Sequence, residues 1–283
     1  MTQLNFSNSD FSNQAFLTIE HAKKTDQLYN LMFEDSINNK QHNHSNPFCQ
    51  YGNKVFSQTD EDGITLEVIK RLKIEKGFFA EFGVGNGCEN NTLSLLGIDW
   101  SGFWCGGEEL LFSTDNSKRL FYSKAWISLE NILELYNTGL KNLNTEKLDL
   151  ISLDLDGNDF YLIEKLLSHN IKPNLYIVEY NAKFTPPIEF KIKYNKDHKW
   201  DGSDYYGASL YTYNKLFEKH GYSLICCNAA TGANAFFVKR EFLSLFPEVP
   251  KDINKIYTPP SFHLYKTYGH KISTKSILSI INN

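Results

Sequence analysis

Two short acidic clusters carry the residue types and spacing that can do chemistry. Asp154-Leu-Asp156-Gly-Asn-Asp159 follows one apolar run, and Glu179-Tyr-Asn181 follows another. Carboxylates brought together are costly unless a cation, a proton or a hydrogen-bond donor compensates them. A calcium loop of the EF-hand kind is excluded, because it needs Gly at its sixth position and Glu at its twelfth, where this chain has Asp159 and Lys165. Three readings stay open. An Asp154-x-Asp156 pair after a strand suits a nucleotide-sugar transferase, in which it holds a divalent metal against a diphosphate. Alternatively Asp156 and Glu179, with Asn181 beside them, serve as general base, or with Asp154 hold a Mg2+ that acidifies a hydroxyl. General-base help of this kind is worth ~10² to 10⁴ in rate. The structural alternative is a helix cap from Asp156, Asn158 or Asp159, whose short side chains accept from free N–H groups.

A glycine turn, Glu81-Phe-Gly83-Val-Gly85-Asn86-Gly87, lies immediately after an apolar strand. Glycines there allow a tight turn and let a ligand approach the backbone. The dinucleotide fingerprint G-x-G-x-x-G would need glycine at position 88, which is Cys88, so the register is off by one. The next strand ends in Gly106-Gly107-Glu108-Glu109. A carboxylate roughly 20 residues past such a turn is where a ribose hydroxyl is usually bound.

In order along the chain, FSQTDEDGI (Phe56 to Ile64), EFGVGNG, WSGFWCGGE, DLISLDLDGNDF (Asp149 to Phe160), IVEYNAKF (Ile177 to Phe184), YYGASL (Tyr205 to Leu210) and NAFFV resemble a class I S-adenosylmethionine-dependent methyltransferase. The resemblance is to a bacterial group related to the FkbM-type enzymes, and it runs from about Tyr51 to Arg240 without covering either terminus. It implies an α/β, Rossmann-like class I methyltransferase fold with a seven-stranded, mostly parallel sheet and an antiparallel last strand. It also implies that Gln58, Glu81, Gly83, Gly85, Asn86, Gly87, Glu108 and Asp154 hold S-adenosylmethionine. The adenine would lie near Ala125 and Trp126, where a core tryptophan is the competing reading. Asp156, Glu179 and Asn181 would then stand beside the transferred methyl group, with Mg2+ as an optional helper. The acceptor implied is an oxygen, less readily a nitrogen, of a small polar molecule such as a sugar, sugar nucleotide or phosphoryl-type group in capsule or surface-polysaccharide synthesis. One departure stands out: Gly106 occupies a position where that group usually has glutamate. Two other classes stay open, a metal-dependent nucleotide-sugar glycosyltransferase and a non-catalytic binding protein in which Gly106 records a lost ribose ligand.

The elements that must position these residues follow from β-rich runs alternating with helical ones, the pattern of βαβ units. Strands are expected at residues 77–82, 102–107, 119–127, 148–155, 175–180, 222–227 and 234–239. The last two are too close for a parallel crossover and form an antiparallel hairpin. Helices are expected at 60–73, 91–96, 129–140, 160–168 and 208–220, the last stopped by Gly221. Residues 1–50 read as a polar extension, helical over 15–33 and a loop over 37–46, with His42 and His44 in a solvated linker rather than on a metal. Residues 51–240 form the methyltransferase domain and 241–283 a C-terminal extension. The stretch 182–207 is a long insert, and long loops in compact domains are often lids or binding loops. Its Trp200, Tyr205 and Tyr206 are the candidates for stacking on a substrate, with Tyr194 nearby, and Lys191, Lys193, Lys196 and Lys199 for facing a phosphate.

Composition bounds the remainder. The chain has 283 residues, 41% hydrophobic and 22% charged, which suits a folded domain and excludes disordered and collagen-like classes. A net charge of -4 gives no long-range attraction for phosphate backbones, so no nucleic-acid partner is expected. No apolar run approaches the ~20 residues that span a bilayer, and the N-terminus lacks a signal-peptide pattern, so no membrane and a cytoplasmic setting are expected. The expected partner is a small-molecule acceptor, and a homodimer is compatible with the chain. Five cysteines without a C-x-x-C pair argue against a disulfide framework. Cys226 and Cys227 read as small buried apolar residues.

Overall fold

The computed structural model describes residues 8–261; the outer parts of both expected extensions, 1–7 and 262–283, lie outside the described residues. Strands β1 (Phe78–Phe82), β2 (Ser101–Gly106), β3 (Leu120–Lys124), β4 (Leu150–Leu153), β5 (Leu175–Glu179), β6 (Tyr222–Cys227) and β7 (Asn234–Lys239) form one sheet in the order β3-β2-β1-β4-β5-β7-β6. Neighbours from β3 through β5 are parallel, while β7 runs antiparallel to both β5 and β6. This is the α/β architecture expected from the sequence, a seven-stranded, mostly parallel sheet with an antiparallel last strand, hairpin included.

Strands buried on both faces should read as continuous apolar runs, and these do. Successive residues alternate between two cores. Ala80, Phe103, Ile151 and Tyr176 face a core shared with α3 (Ile132–Leu143), α4 (Asp159–Ser168) and α5 (Leu210–Lys219). Phe79, Trp104, Leu150 and Ile177 face the other, with α2 (Glu61–Leu72) and the short helical segment Pro47–Tyr51. Cys226 and Cys227 are fully buried, as expected.

Several element bounds shift for local reasons. The first helix, α1 (Asn8–Asn43), runs through most of the expected 37–46 loop. Its last turn is anchored to the domain: buried Gln41 donates to Asp60 Oδ2 at 3.0 Å, and Lys40 Nζ to the Ala230 carbonyl at 2.9 Å. His44 is not in a solvated linker either, since it is half-buried and its ring nitrogens meet Asn46 N and Thr258 Oγ1. The 129–140 helix starts one turn later because Asn131 Oδ1 accepts from Ser128 N and closes a turn ahead of it. The 91–96 helix is a 3-10 turn, Leu93–Ile98, displaced because Glu81 takes the Asn91 and Thr92 amides. Gly221, at φ +86°, ends α5 as the sequence suggests.

Candidate active site

The strand order reverses between β1 and β4, and open α/β sheets bind ligands outside the carboxyl ends of the strands at that point. A cleft of about 370 Å³ opens there. Gln58, Glu81, Gly83, Asp154, Asp156, Glu179 and Trp200, seven of the residues singled out in the sequence, line it. Glu89, Asn90, Asn91 and Asn234 line it too and were not anticipated.

The glycine turn has the shape its residues demand. Gly83 has φ +99°, and a Cβ there would overlap the Asp154 carbonyl oxygen. Its amide and that of Val84 both donate to the Cys105 carbonyl, so the turn leans onto the end of β2. That closeness explains Gly106: a Cβ at this position would overlap the Val84 carbonyl oxygen. At Gly85 the space is open, with Glu108 Oε2 at 3.8 Å the nearest neighbour of an added Cβ. Glu108 therefore borders the turn but does not line the cleft. Asn86 and Gly87 also lie outside it: Asn86 Oδ1 accepts from Cys88 N, and its carbonyl from Leu111 N.

Glu81 reaches over the segment that follows the turn. Oε1 accepts from Asn91 N at 2.9 Å, and Oε2 from Thr92 N at 3.1 Å and Thr92 Oγ1 at 2.5 Å. Burial pushes its carboxyl up to about 7 against the pull of these donors.

The acidic cluster is assembled by two strand ends and one braced loop. One ligand oxygen from each of Asp154, Asp156 and Glu179 lies within 4.8 Å of the others. Asp154 is held by its amide donating to Phe82 O, across the β1–β4 pair. Asp156 is exposed and sits at φ +52°, the left-handed region. Buried Asp159 braces that loop, its two oxygens accepting from Leu155 N at 2.7 Å and Gly157 N at 2.8 Å. The structure thus makes Asp159 a loop tie rather than a helix cap. Burial and then the neighbouring carboxylates drive Asp154 and Glu179 well above the ordinary carboxylate range.

Among the described residues, three buried oxygens on this cleft have no hydrogen-bond donor: Asn90 Oδ1, Glu179 Oε2 and Asn234 Oδ1. Buried polar atoms are normally partnered. Asn234 pairs directly with Glu179 in the β5–β7 register, so the two side chains share a face. Its Nδ2 is committed to Glu61 Oε1 at 3.2 Å. Behind it lies a polar knot from the TDED run. Asn228 Nδ2 donates to Thr59, Asp60 and Glu61, and Asp60 accepts from the Ala229 and Ala230 amides. The sequence flagged this run only as a likeness, because its partners lie about 170 residues away.

Other expected site residues are placed elsewhere. Asn181 is fully buried and turned from the cleft, its Nδ2 donating to the carbonyls of Asp204 and Tyr206; its catalytic assignment gives way to holding the insert. Tyr206 is buried with its ring 6.2 Å from that of Trp200, and Tyr205 OH accepts from Lys193 N. Both tyrosines support the insert, and only Trp200 of the three aromatic candidates faces the cleft. None of the four insert lysines lines it; Lys191 Nζ lies 4.2 Å from the centre of the Phe160 ring. Trp126 and Ala125 line a separate hollow of about 70 Å³ with Gly107, Ile127, Leu155, Asn158 and His198. The insert crosses that hollow, tied by Trp126 Nε1 to Lys196 O and Asn158 Nδ2 to Asn195 O, each at 2.8 Å.

No protein-family model matches the sequence, and no curated protein matches it. Among solved structures, the chain is similar to the N-terminal domain of EvdMO1 with SAH bound, at 11% identity and a TM-score of 0.39, covering 65% of this chain and 82% of that one. It is similar to the methyltransferase domain of bacterial CtHen1, at 18% and 0.36, covering 62% and 96%. It is also similar to an O-methyltransferase family 2 protein from Planctomyces limnophilus, at 13% and 0.35, covering 72% and 60%. Likenesses this distant carry no argument about chemistry, which rests on the residues of the cleft.

Proposed function

We propose that the protein transfers a methyl group from S-adenosylmethionine to an oxygen of a small polar acceptor. The observation that carries this reading is the lining of the cleft. Among the described residues it presents Glu81, Glu89, Asp154, Asp156 and Glu179, three donorless buried oxygens and no cationic side chain, beside a glycine turn. S-adenosylmethionine brings two positive groups, a sulfonium and an ammonium, and suits such a lining. A bare diphosphate does not.

In this reading Gly83 and Gly85 let the cofactor approach the backbone, Gln58 and Asn90 contact its amino acid end, and Ala125 and Trp126 border its base. The cofactor supplies the electrophilic methyl carbon. Catalysis is mainly alignment of the acceptor in line with that carbon, which can contribute several kcal/mol. Asp156 at the rim and Glu179 in the wall of the cleft face the acceptor's hydroxyl and favour loss of its proton. Trp200 packs on the acceptor, which we take to be a sugar or sugar derivative of surface-polysaccharide synthesis, the setting of the resembled group.

One observation favours a second reading: Asp154-x-Asp156 follows a strand and faces the same cleft, as a metal-dependent nucleotide-sugar transferase would require. Thermal unfolding with S-adenosylhomocysteine, and with a nucleotide-sugar panel plus Mn2+, separates the two. A ligand at about 100 times its Kd adds ~2.7 kcal/mol, several degrees of midpoint in a chain of this size. A shift with S-adenosylhomocysteine is the expected result. A shift confined to a nucleotide sugar with Mn2+ overturns the methyltransferase reading.

A further inference from the structure

We infer that Asp154, Asp156 and Glu179 bind one hard divalent cation of the Mg2+ type, and that this ion orients a hydroxyl oxygen of the acceptor; the second half rests on the methyltransferase reading, the first does not. One oxygen from each of the three lies within 4.8 Å of the others, close to the separation of at most about 4.2 Å between oxygens sharing one Mg2+, so small side-chain adjustments bring them onto one ion. All donors are oxygens, which selects Mg2+ or Mn2+ over thiol- and imidazole-seeking metals. Three protein ligands leave positions for water and substrate, as Mg2+ sites do.

The cluster does not stand alone. Asn234 is only 4% exposed, lines the same cleft beside Glu179, and has a buried Oδ1 without a donor among the described residues. Its Nδ2 is fixed on Glu61, so the side chain cannot turn to give the carboxylates an N–H. A water on the ion, or the acceptor's hydroxyl, is the donor this oxygen lacks. Asp156 is the ligand that comes from the loop, and Asp159 clamps that loop through two backbone amides. The three ligands are therefore pre-positioned by two strand ends and one braced turn.

The site narrows the acceptor to an oxygen nucleophile, since a hard divalent ion takes an oxygen ligand in preference to an amine nitrogen. In the step itself the hydroxyl loses its proton to solvent, and an oxygen lone pair forms the bond to the methyl carbon. The carbon–sulfur bond breaks with its electron pair staying on sulfur. The products are a methyl ether, S-adenosylhomocysteine and one proton.

The test uses the full chain and Mn2+ as the probe, with free Mn2+ followed by electron paramagnetic resonance and S-adenosylhomocysteine binding measured separately by calorimetry. One Mn2+ per chain, displaced by Mg2+, is expected, with affinity at least tenfold weaker in Asp156→Asn and in Glu179→Gln. Asn tolerates left-handed backbone, so Asp156→Asn should keep its wild-type melting temperature and its S-adenosylhomocysteine affinity. Absence of a stoichiometric site, or unchanged Mn2+ affinity in both variants, overturns the inference. S-adenosylhomocysteine binding without Mn2+ binding removes the ion alone, whereas Mn2+ binding without S-adenosylhomocysteine binding removes the methyltransferase reading alone.

Discussion

Asn234 stands directly across the β5–β7 ladder from Glu179, with its amide nitrogen held by the buried carboxylate of Glu61. The wall of the cleft is thereby tied to the polar knot under α2. Glu61 is fully buried and loses a donor if Asn234 is truncated. Asn234→Ala should cost about 1–3 kcal/mol, the range for a buried polar group left short of a partner. Asn234→Asp should cost more, because it sets a new carboxylate between Glu61 and Glu179. Urea unfolding midpoints give the order, and an Asp variant more stable than the Ala variant would contradict it.

The glycine turn separates fold from ligand. Gly83→Ala meets both a positive φ and the Asp154 carbonyl, and Gly106→Ala meets the Val84 carbonyl. Each should destabilise the protein by about 3 kcal/mol or more, in the range reserved for strain and overpacking. Gly85 has open space, so Gly85→Leu should leave the melting temperature within a degree or two while abolishing S-adenosylhomocysteine binding. Undiminished affinity in Gly85→Leu would move the cofactor off this turn. By the same geometry, Gly106→Glu should damage the fold rather than restore a ribose ligand.

Much of this was legible in advance, and the limits have physical causes. Period and run length place every strand, because a sheet buried on both faces writes itself as short apolar runs, and the NAATGA turn forces the β6–β7 hairpin. The cleft residues at strand ends, Glu81, Asp154 and Glu179, follow from the same logic. What the sequence hides is the direction of side chains outside regular elements. Asn181 lies only two residues past Glu179, yet leaving the strand turns it onto the insert's backbone. Tyr205 and Tyr206 look like stacking residues but are used for packing. Asn234 opens the NAFFV run, whose sequence signal is that of a strand alone, and only the pairing of the hairpin against β5 sets it beside Glu179.

Glu81 provides a test by pH. Its folded-state value of about 7 lies above the ordinary 4.5, so the folded chain holds a proton that the unfolded chain releases. The sign follows: this group costs nothing below pH 4.5, and its penalty grows as pH rises to about 7 and is constant beyond. A displacement of that size is about 3 kcal/mol. Glu81→Gln mimics the protonated acid and removes the slope. Between pH 5 and pH 8 the stability of the variant should therefore gain about 2–3 kcal/mol on the wild type. Parallel stability curves would show that Glu81 is ionised in the fold throughout.

The hollow beside Trp126 sets the last expectation. At about 70 Å³ it has room for roughly two waters at ~30 Å³ each, and a purine does not fit. If the base of the cofactor lies there, the strap Asn195–Lys199 has to lift. Its ties to Trp126 and Asn158 are three hydrogen bonds, two at 2.8 Å and Asn195 N to Asn158 Oδ1 at 3.3 Å, and the Lys199 ammonium 5.7 Å from the Trp126 ring centre. Motions of such loops set binding rates more than affinities. His198→Ala, which empties one wall of the hollow, should raise the association rate of S-adenosylhomocysteine several-fold in stopped-flow fluorescence, with Trp126 as the reporter. Trp126→Phe should remove the signal while leaving calorimetric binding in place. An association rate unchanged in His198→Ala, together with a signal that survives Trp126→Phe, would put the base elsewhere on the cleft.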